Sequence, residues 1–375
     1  MAVPTFASLS LDAALMSAVK ELGFARPTPI QLDSIPPARD GRDVLACAQT
    51  GSGKTAAFLL PILHRMLAGK QGATRALIVV PTRELALQVL ETAQALTVHT
   101  PLTSAAIYGG VGMGPQEHAF RTKADLMVAT PGRLLDHMTK PYASLAGVQH
   151  LVLDEADRML DMGFMPDVER ILSRTPRTRQ TAMFSATVPT VVRIISKRHM
   201  RDAVTVQVKP EERTVSSIEQ IFYEVAERDK PAALRAVLRE RAPERAMIFC
   251  RTQIAVDRLM RILQRDGLQV EAIHGSMGQG QRERVIADFR SGKVTLLVAT
   301  NLAARGLDIP EVSHVINYDI PEESESYVHR IGRTARMGRE GMAITFVAEW
   351  DEKSLAEIKK VTNNALREER LSLYA

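Results

Sequence analysis

Two short segments carry side chains that could do chemistry on phosphate. In Ala48-Gln49-Thr50-Gly51-Ser52-Gly53-Lys54-Thr55 the glycines permit a tight turn between a strand and a helix. Backbone N–H groups from Thr50, Gly51, Ser52 and Gly53, added to the positive end of that helix, would face phosphate oxygens. Lys54 would neutralise the β- and γ-phosphates and the Thr55 hydroxyl would ligate a metal. Ala48 stands where the pattern G-x-x-x-x-G-K-[ST] begins with glycine, and a plain glycine-rich turn is the alternative. Further along, Leu151-Val152-Leu153 runs into Asp154-Glu155-Ala156-Asp157. An apolar strand ending in acids is hard to explain by packing, because a buried carboxylate without a metal or partner is costly. Adjacent strand residues face opposite ways, so the two acids should not share one job. Asp154 is assigned to Mg2+ through water, and Glu155 to orienting and deprotonating an attacking water. Together the segments predict a magnesium nucleoside triphosphate site and hydrolysis of ATP.

Positioning those groups requires strands that end in crevices. Apolar strands alternate with amphipathic helices along the chain, which predicts an α/β fold with parallel sheets covered on both faces. Strands are expected at 43–47, 76–80, 103–107, 126–129, 151–153 and 181–184, then at 218–225, 246–250, 270–273, 295–299, 314–318 and 343–347. Lys209 to Ser217 is polar, contains Pro210 and has neither period, so it is the expected linker. The domains are therefore placed at 1–208 and 218–375, two similar lobes whose strand ends would line a cleft. A final helix from Asp351 is expected to pack Leu355, Ile358 and Val361 against the second lobe.

At 375 residues the chain exceeds one comfortable core. Apolar content of 45% and charged content of 24% are globular values. The net charge of +5 permits a polyanionic partner without demanding one. Cys47 and Cys250 lie in different halves without metal-ligand spacing and read as buried reduced thiols. The N-terminus lacks a basic start before an apolar core, and no window approaches the length of a membrane span. The expectation is a soluble, cytoplasmic monomer. His64, His99 and His137 are isolated and read as surface or helix residues.

Asp154-Glu155-Ala156-Asp157 spells the name motif of the DEAD-box RNA helicases, and the chain resembles their two-domain core. Matching segments follow in order: Gly23-Phe24 to Gln31, 48–55, Pro81-Thr82-Arg83-Glu84-Leu85, Gly109-Gly110, Thr130-Pro131-Gly132-Arg133, the acidic motif, Ser185-Ala186-Thr187, Ile248 to Thr252, Gln281 with Arg284, Thr300 to Asp308, and His329 to Arg336. The segment Gly306 to Val312 is similar to the bacterial RhlE-type subgroup. The resemblance implies two tandem RecA-like domains joined by a short flexible linker, with ATP and Mg2+ as cofactors and RNA as partner.

It also implies roles. Gln31 would read the adenine edge, Phe6 would stack on the ring and Asp308 would contact the ribose. Arg333 and Arg336 would act as arginine fingers, supplying charge from the second lobe as negative charge builds on the γ-phosphoryl oxygens. A solvated basic face, with Arg330 and Arg339 nearby, is their alternative. RNA contacts would come from Arg83, Gly110, Thr130, Gly132 and Arg133 in one lobe and Gln281, Arg284, Thr300, Arg305 and Gly306 in the other. These residue types suit phosphate and 2′-OH contacts, so binding should be largely sequence-independent and weaken with salt. Ser185 and Thr187, hydroxyls at a strand end, are placed to hydrogen-bond Asp157 and couple ATP to strand separation. Asn301 and Ala335 depart from the family's usual aspartate and glycine. The activity implied is a non-processive ATP-dependent RNA helicase. An ATP-gated RNA clamp uses the same residues, and a DNA translocase fits the acidic motif less well.

Overall fold

Alternating burial along four- and five-residue apolar runs decides the architecture. In Ala76–Val79, Ala76 and Ile78 join one core cluster while Leu77 and Val79 join another. A strand apolar on both sides must be covered on both sides, as parallel strands connected through helices are. The computed structural model describes residues 4–48, 51–69, 72–208, 218–304, 312–335 and 341–371. They fall into two compact units, Met1–Lys209 and Pro210–Ala375. The expected linker lies outside the described residues, as do Thr50, Arg305, Gly306, Asp308 and Arg336.

The first unit contains β1 (Val44–Cys47), β2 (Ala76–Val79), β3 (Ser104–Ile107), β4 (Leu126–Ala129), β5 (His150–Asp154), β6 (Gln180–Ser185) and β7 (Val204–Gln207). The second contains β8 (Ile218–Glu224), β9 (Ala246–Cys250), β10 (Val270–Ile273), β11 (Leu296–Thr300), β12 (His314–Asn317), β13 (Gly341–Val347) and β14 (Arg367–Glu368). Among the described residues each unit builds one seven-stranded sheet, in the orders β3-β4-β2-β5-β6-β1-β7 and β10-β11-β9-β12-β13-β8-β14. Every pairing is parallel. The second order is the first with each strand replaced by its counterpart seven places later.

The alternation of strands and helices is present as the sequence predicts, with two additions. Strands β7 and β14 lie at sheet edges; β7 buries only Val206 and β14 is exposed, so neither carries an apolar run. The C-terminal helix Glu352–Val361 buries Ile358 but leaves Val361 exposed, contrary to expectation. Steps of three residues fall behind the helical turn, and Thr362, four beyond Ile358, is the buried one. Cys250 is a buried free thiol, raised from its ordinary pKa by burial, whereas Cys47 is only half-buried.

Candidate functional site

The phosphate loop leaves β1 and enters the helix Lys54–Leu67. Gly51 and Gly53 hold φ of 82° and 91°, the left-handed region that glycine enters without a Cβ clash. At Gly53 a Cβ would sit 2.5 Å from Gln31 Nε2. Gln31 explains that approach: its Nε2 donates to Gly53 O at 3.1 Å while its Oε1 accepts from Thr28 N at 2.9 Å. Gln31 is therefore buried. One donor and one acceptor are already used within the protein, leaving a second N–H and a second lone pair. Lys54, the first residue of its helix, is also buried. Phe6 is 4% exposed and stacked on Phe24 with ring centroids 6.1 Å apart. Its open edge meets a groove lined also by Met16, Lys20 and Gly23.

Asp154 ends β5 inside the protein. Burial pushes its carboxyl up to about 7, against the opposing charge of Lys54 and with reinforcement from Glu155 and Asp157. Glu155 does not continue the strand, which corrects the strand-alternation argument. Its φ of 52° is left-handed, and it caps the helix Ala156–Asp161. A turn, rather than the pleat, separates the two acids. Glu155 Oε2 meets Arg158 Nη1 at 3.1 Å, a partner that the sequence signalled only by its three-residue spacing.

Asp157 binds the acidic turn to the end of β6. Its Oδ2 accepts from Ala186 N at 3.1 Å, Thr187 N at 2.9 Å and Thr187 Oγ1 at 3.2 Å. Ser185 Oγ accepts from the Asp157 backbone N–H at 3.1 Å, so Ser185 grips the main chain and not the carboxylate. Strands β5, β6 and β1 are neighbours, which brings the acids, Ser185-Ala186-Thr187 and the phosphate loop together at their carboxyl ends.

The other half of the sheet gathers a second group. Arg83 begins the helix after β2, Gly109-Gly110 follow β3, and Thr130 caps the helix Pro131–Met138 after β4. Gly110 has φ of 82°, and a Cβ there would lie 2.0 Å from Arg83 Nη1. Arg133 Nη1 donates to Val111 O at 2.9 Å. At Gly132 an added Cβ would meet nothing within 4 Å, so packing within the chain does not demand that glycine. His137 lies on a helix, as one of the two expected readings has it, but it is 0% exposed and sits between Tyr142 and Gln116 rather than isolated.

In the second unit Gln281 and Arg284 are exposed on the helix Gln279–Arg290 after β10, and Thr300 ends the neighbouring β11. Thr300 Oγ1 accepts from Ala303 N at 3.4 Å. Asn301 donates to Ser326 Oγ at 3.1 Å. Arg330 and Arg333 are both buried, which removes a solvated basic face as the account of Arg333. Arg330 Nη1 donates to Asn317 Oδ1 at 3.1 Å and to Asp319 O at 2.8 Å, and its guanidinium lies 5.0 Å from the Phe249 ring centroid. Sequence reasoning missed Lys230, Asp319 and Gln116, because each draws its meaning from partners distant in the chain.

A parallel sheet with a phosphate loop after its first strand and paired acids after a central one defines a nucleotide-binding α/β lobe, followed along the chain by a second lobe of the same strand order. The family model for the DEAD/DEAH box helicase matches residues 28–195, and that for the helicase conserved C-terminal domain matches residues 229–338. The chain belongs to the DEAD-box ATP-dependent RNA helicases. It is 44% identical over 362 residues to the ATP-dependent RNA helicase CshA of Listeria monocytogenes, covering 96% of this chain and 69% of that one. Against CshA of Geobacillus kaustophilus the identity is 44%, with 96% and 77% covered. Among solved structures, S. cerevisiae Dbp5 bound to RNA and ADP BeF3 superposes with a TM-score of 0.87 at 32% identity, covering 98% of this chain and 96% of that one. Mss116p bound to ssRNA and AMP-PNP gives 0.87 at 29%, covering 99% and 80%. These relatives carry CshA and other DEAD-box names; the RhlE-type placement rests on the wording at 306–312 alone.

Proposed function

We propose that this chain couples ATP binding and hydrolysis to local, non-processive separation of short RNA duplexes or remodelling of RNA–protein complexes. The observation that carries this reading is the Asp157 carboxylate, which ties the acidic turn after β5 to residues 186–187 after β6, beside the phosphate loop. Thr50 to Thr55 hold the triphosphate, with Lys54 on the β- and γ-phosphates. The remaining N–H and lone pair of Gln31 read adenine, Phe6 stacks through its groove, and Asp308 holds the ribose.

A divalent cation fits the donors present. Asp154 is a buried carboxylate whose ionised form needs a positive partner beyond Lys54, and Thr55 offers a hydroxyl. Among the described residues no cluster of three His, Cys, Asp or Glu could hold a metal by itself, so phosphate oxygens and water would complete the shell. Bound there, Mg2+ would neutralise charge on the β- and γ-phosphates. Glu155, steadied by Arg158, takes the proton of the attacking water, and the cleaved P–O electron pair leaves with ADP. Arg333 and Arg336 stabilise the charge that develops once ATP and RNA draw the lobes, 1–208 and 218–375, together.

Arg83, Gly110, Thr130, Gly132, Arg133, Gln281, Arg284, Thr300, Arg305 and Gly306 hold the RNA backbone. Phosphate release then reopens the lobes. A cytoplasmic monomer completes the reading; among the described residues no helix is long and apolar enough to cross a membrane. The test is ATP turnover with and without RNA in the wild type and in Glu155→Gln. RNA-stimulated turnover is expected in the first, and retained ATP and RNA binding with little turnover in the second. Release of a labelled strand from a short duplex, against dwell time on single-stranded RNA, separates a helicase from a clamp.

A further inference from the structure

Glycine-rich loops do not hold their own shape, so something must fix Gly109-Gly110 if it is to meet an RNA backbone. Arg83 covers Gly110, and Arg133 fastens the next residue through Val111 O at 2.9 Å. The start of the loop is fastened by a chain of groups that none of the expected contacts includes. Gln116, on the helix Gly114–Arg121 and 6% exposed, donates Nε2 to Tyr108 O at 2.9 Å. Its Oε1 lies 3.3 Å from His137 Nε2, and His137 Nδ1 lies 3.0 Å from Tyr142 OH. Phe120 packs on both rings, at centroid distances of 5.1 Å from His137 and 6.0 Å from Tyr142. His137 sits on the helix Pro131–Met138, the one that carries Gly132 and Arg133.

One protonation pattern satisfies every member. Gln116 spends an N–H on Tyr108 O, so its Oε1 must accept; His137 then donates from Nε2 and accepts at Nδ1 from the Tyr142 hydroxyl. Burial favours the neutral ring, and so does Arg133, while Asp136 and Glu117 oppose them. Both ends of the loop are thus tied to a single helix, at Tyr108 through Gln116 and His137 and at Val111 through Arg133.

We propose that Gln116 and His137 are positioning residues for RNA binding, which set the spacing between the Gly109-Gly110 loop and the Gly132-Arg133 helix start. The proposal rests on the RNA-contact reading given above. Neither side chain need touch RNA. Each acts by keeping backbone and guanidinium groups of two separate segments at one distance, matched to successive phosphates. Losing one hydrogen bond of ordinary net strength corresponds to about a three- to tenfold change in an equilibrium.

The experiment measures ATPase activity against RNA concentration, and separately against ATP concentration, in the full chain. Gln116→Met and His137→Leu keep the volume and remove the hydrogen bonds. Each is expected to raise the RNA concentration for half-maximal stimulation about three- to tenfold, with the ATP KM and the turnover at saturating RNA unchanged. The double variant should be no worse than about the worse single one, because both break the same chain. His137→Gln, which keeps an N–H near the Nε2 position, should return to within about twofold of wild type. Tyr142→Phe, a milder change, guards against loss of fold and should shift RNA dependence by about twofold. Arg133→Ala is the control for the reading beneath. If Arg133→Ala weakens RNA dependence while folded Gln116→Met and Tyr142→Phe do not, the positioning role is wrong. If none of the variants moves it, the RNA-contact face itself is misassigned. An ATP KM that rises in step with the RNA requirement would also overturn the proposal, since a general structural role predicts it.

Discussion

The two lobes share a strand order, yet their corresponding sites are filled differently. In the first, Lys54 opens the helix after β1 and faces the acids after β5; in the second, Lys230 opens the helix Lys230–Arg241 after β8, and Asp319 follows β12. Lys230 Nζ lies 3.0 Å from Asp319 Oδ1 and 2.6 Å from Glu227 Oε2, and is 1% exposed. Although burial works against its charge, these two carboxylates raise the Lys230 pKa. Asp319 Oδ2 also accepts from Arg251 N at 2.8 Å. The second lobe has closed its lysine on internal acids. In the first lobe burial raises the Asp154 carboxyl to about 7, against the opposing charge of Lys54. The same framework thus closes one lysine on carboxylates of its own chain and sets the other near a carboxyl raised by burial.

The largest expected effect tests that division on activity. Lys54→Met should lower RNA-stimulated turnover by more than about 100-fold with little change in melting temperature, since the lost charge acts on the transition state. A Lys54→Met protein with wild-type turnover would break the comparison at once. Lys230→Met should do the reverse, and unfolding by denaturant should show a loss of about 3 to 5 kcal/mol, because the buried Asp319 carboxylate loses its partner. Adding Asp319→Asn should restore part of it. If Lys230→Met kept full stability but lost turnover, the second lysine would belong to the active site.

The lobes also begin their central strands alike, with His150 and His314, both lowered in pKa chiefly by burial. His150 falls to about 4. A histidine depressed in this way favours the fold fully above the unfolded value near 6.5, and that stability is lost as pH falls toward 4. His150→Gln should therefore flatten the loss of stability between pH 6.5 and 4, by roughly 3 kcal/mol, in urea titrations at several pH values. An unchanged slope would show that the ring titrates freely. The smallest effect concerns Ala335, which holds φ of 56°, a left-handed conformation that favours glycine. Ala335→Gly should stabilise the second lobe by up to about 1 kcal/mol, measured as a shift in unfolding midpoint, by relieving left-handed strain.

The placement of Lys54 at a helix start and of Asp157 beside residues 186–187 was legible because spacing within a few residues carries it. Central strands were legible for the same reason: Leu126–Ala129 and Ala246–Cys250 are apolar runs whose length alone marks a buried strand. Edge strands β7 and β14 lacked that run. The amide of Gln31 spanning Thr28 and Gly53 had no local signal, and His137 read as isolated until Gln116 and Tyr142 closed around it.

By itself the sequence determined the local matters: where strands and helices form, which loop can wrap a phosphate, and which family the chain resembles. Those follow from periodicity, glycine placement and short motifs, all properties of neighbours along the chain. Only the tertiary structure decided that Lys230 is satisfied from within, while Lys54 is buried near a carboxyl raised to about 7. That distinction depends on hydrogen bonds and charges between residues as far apart as Lys230 and Asp319, whose burial and partners arise only when the sheet brings their strand ends together.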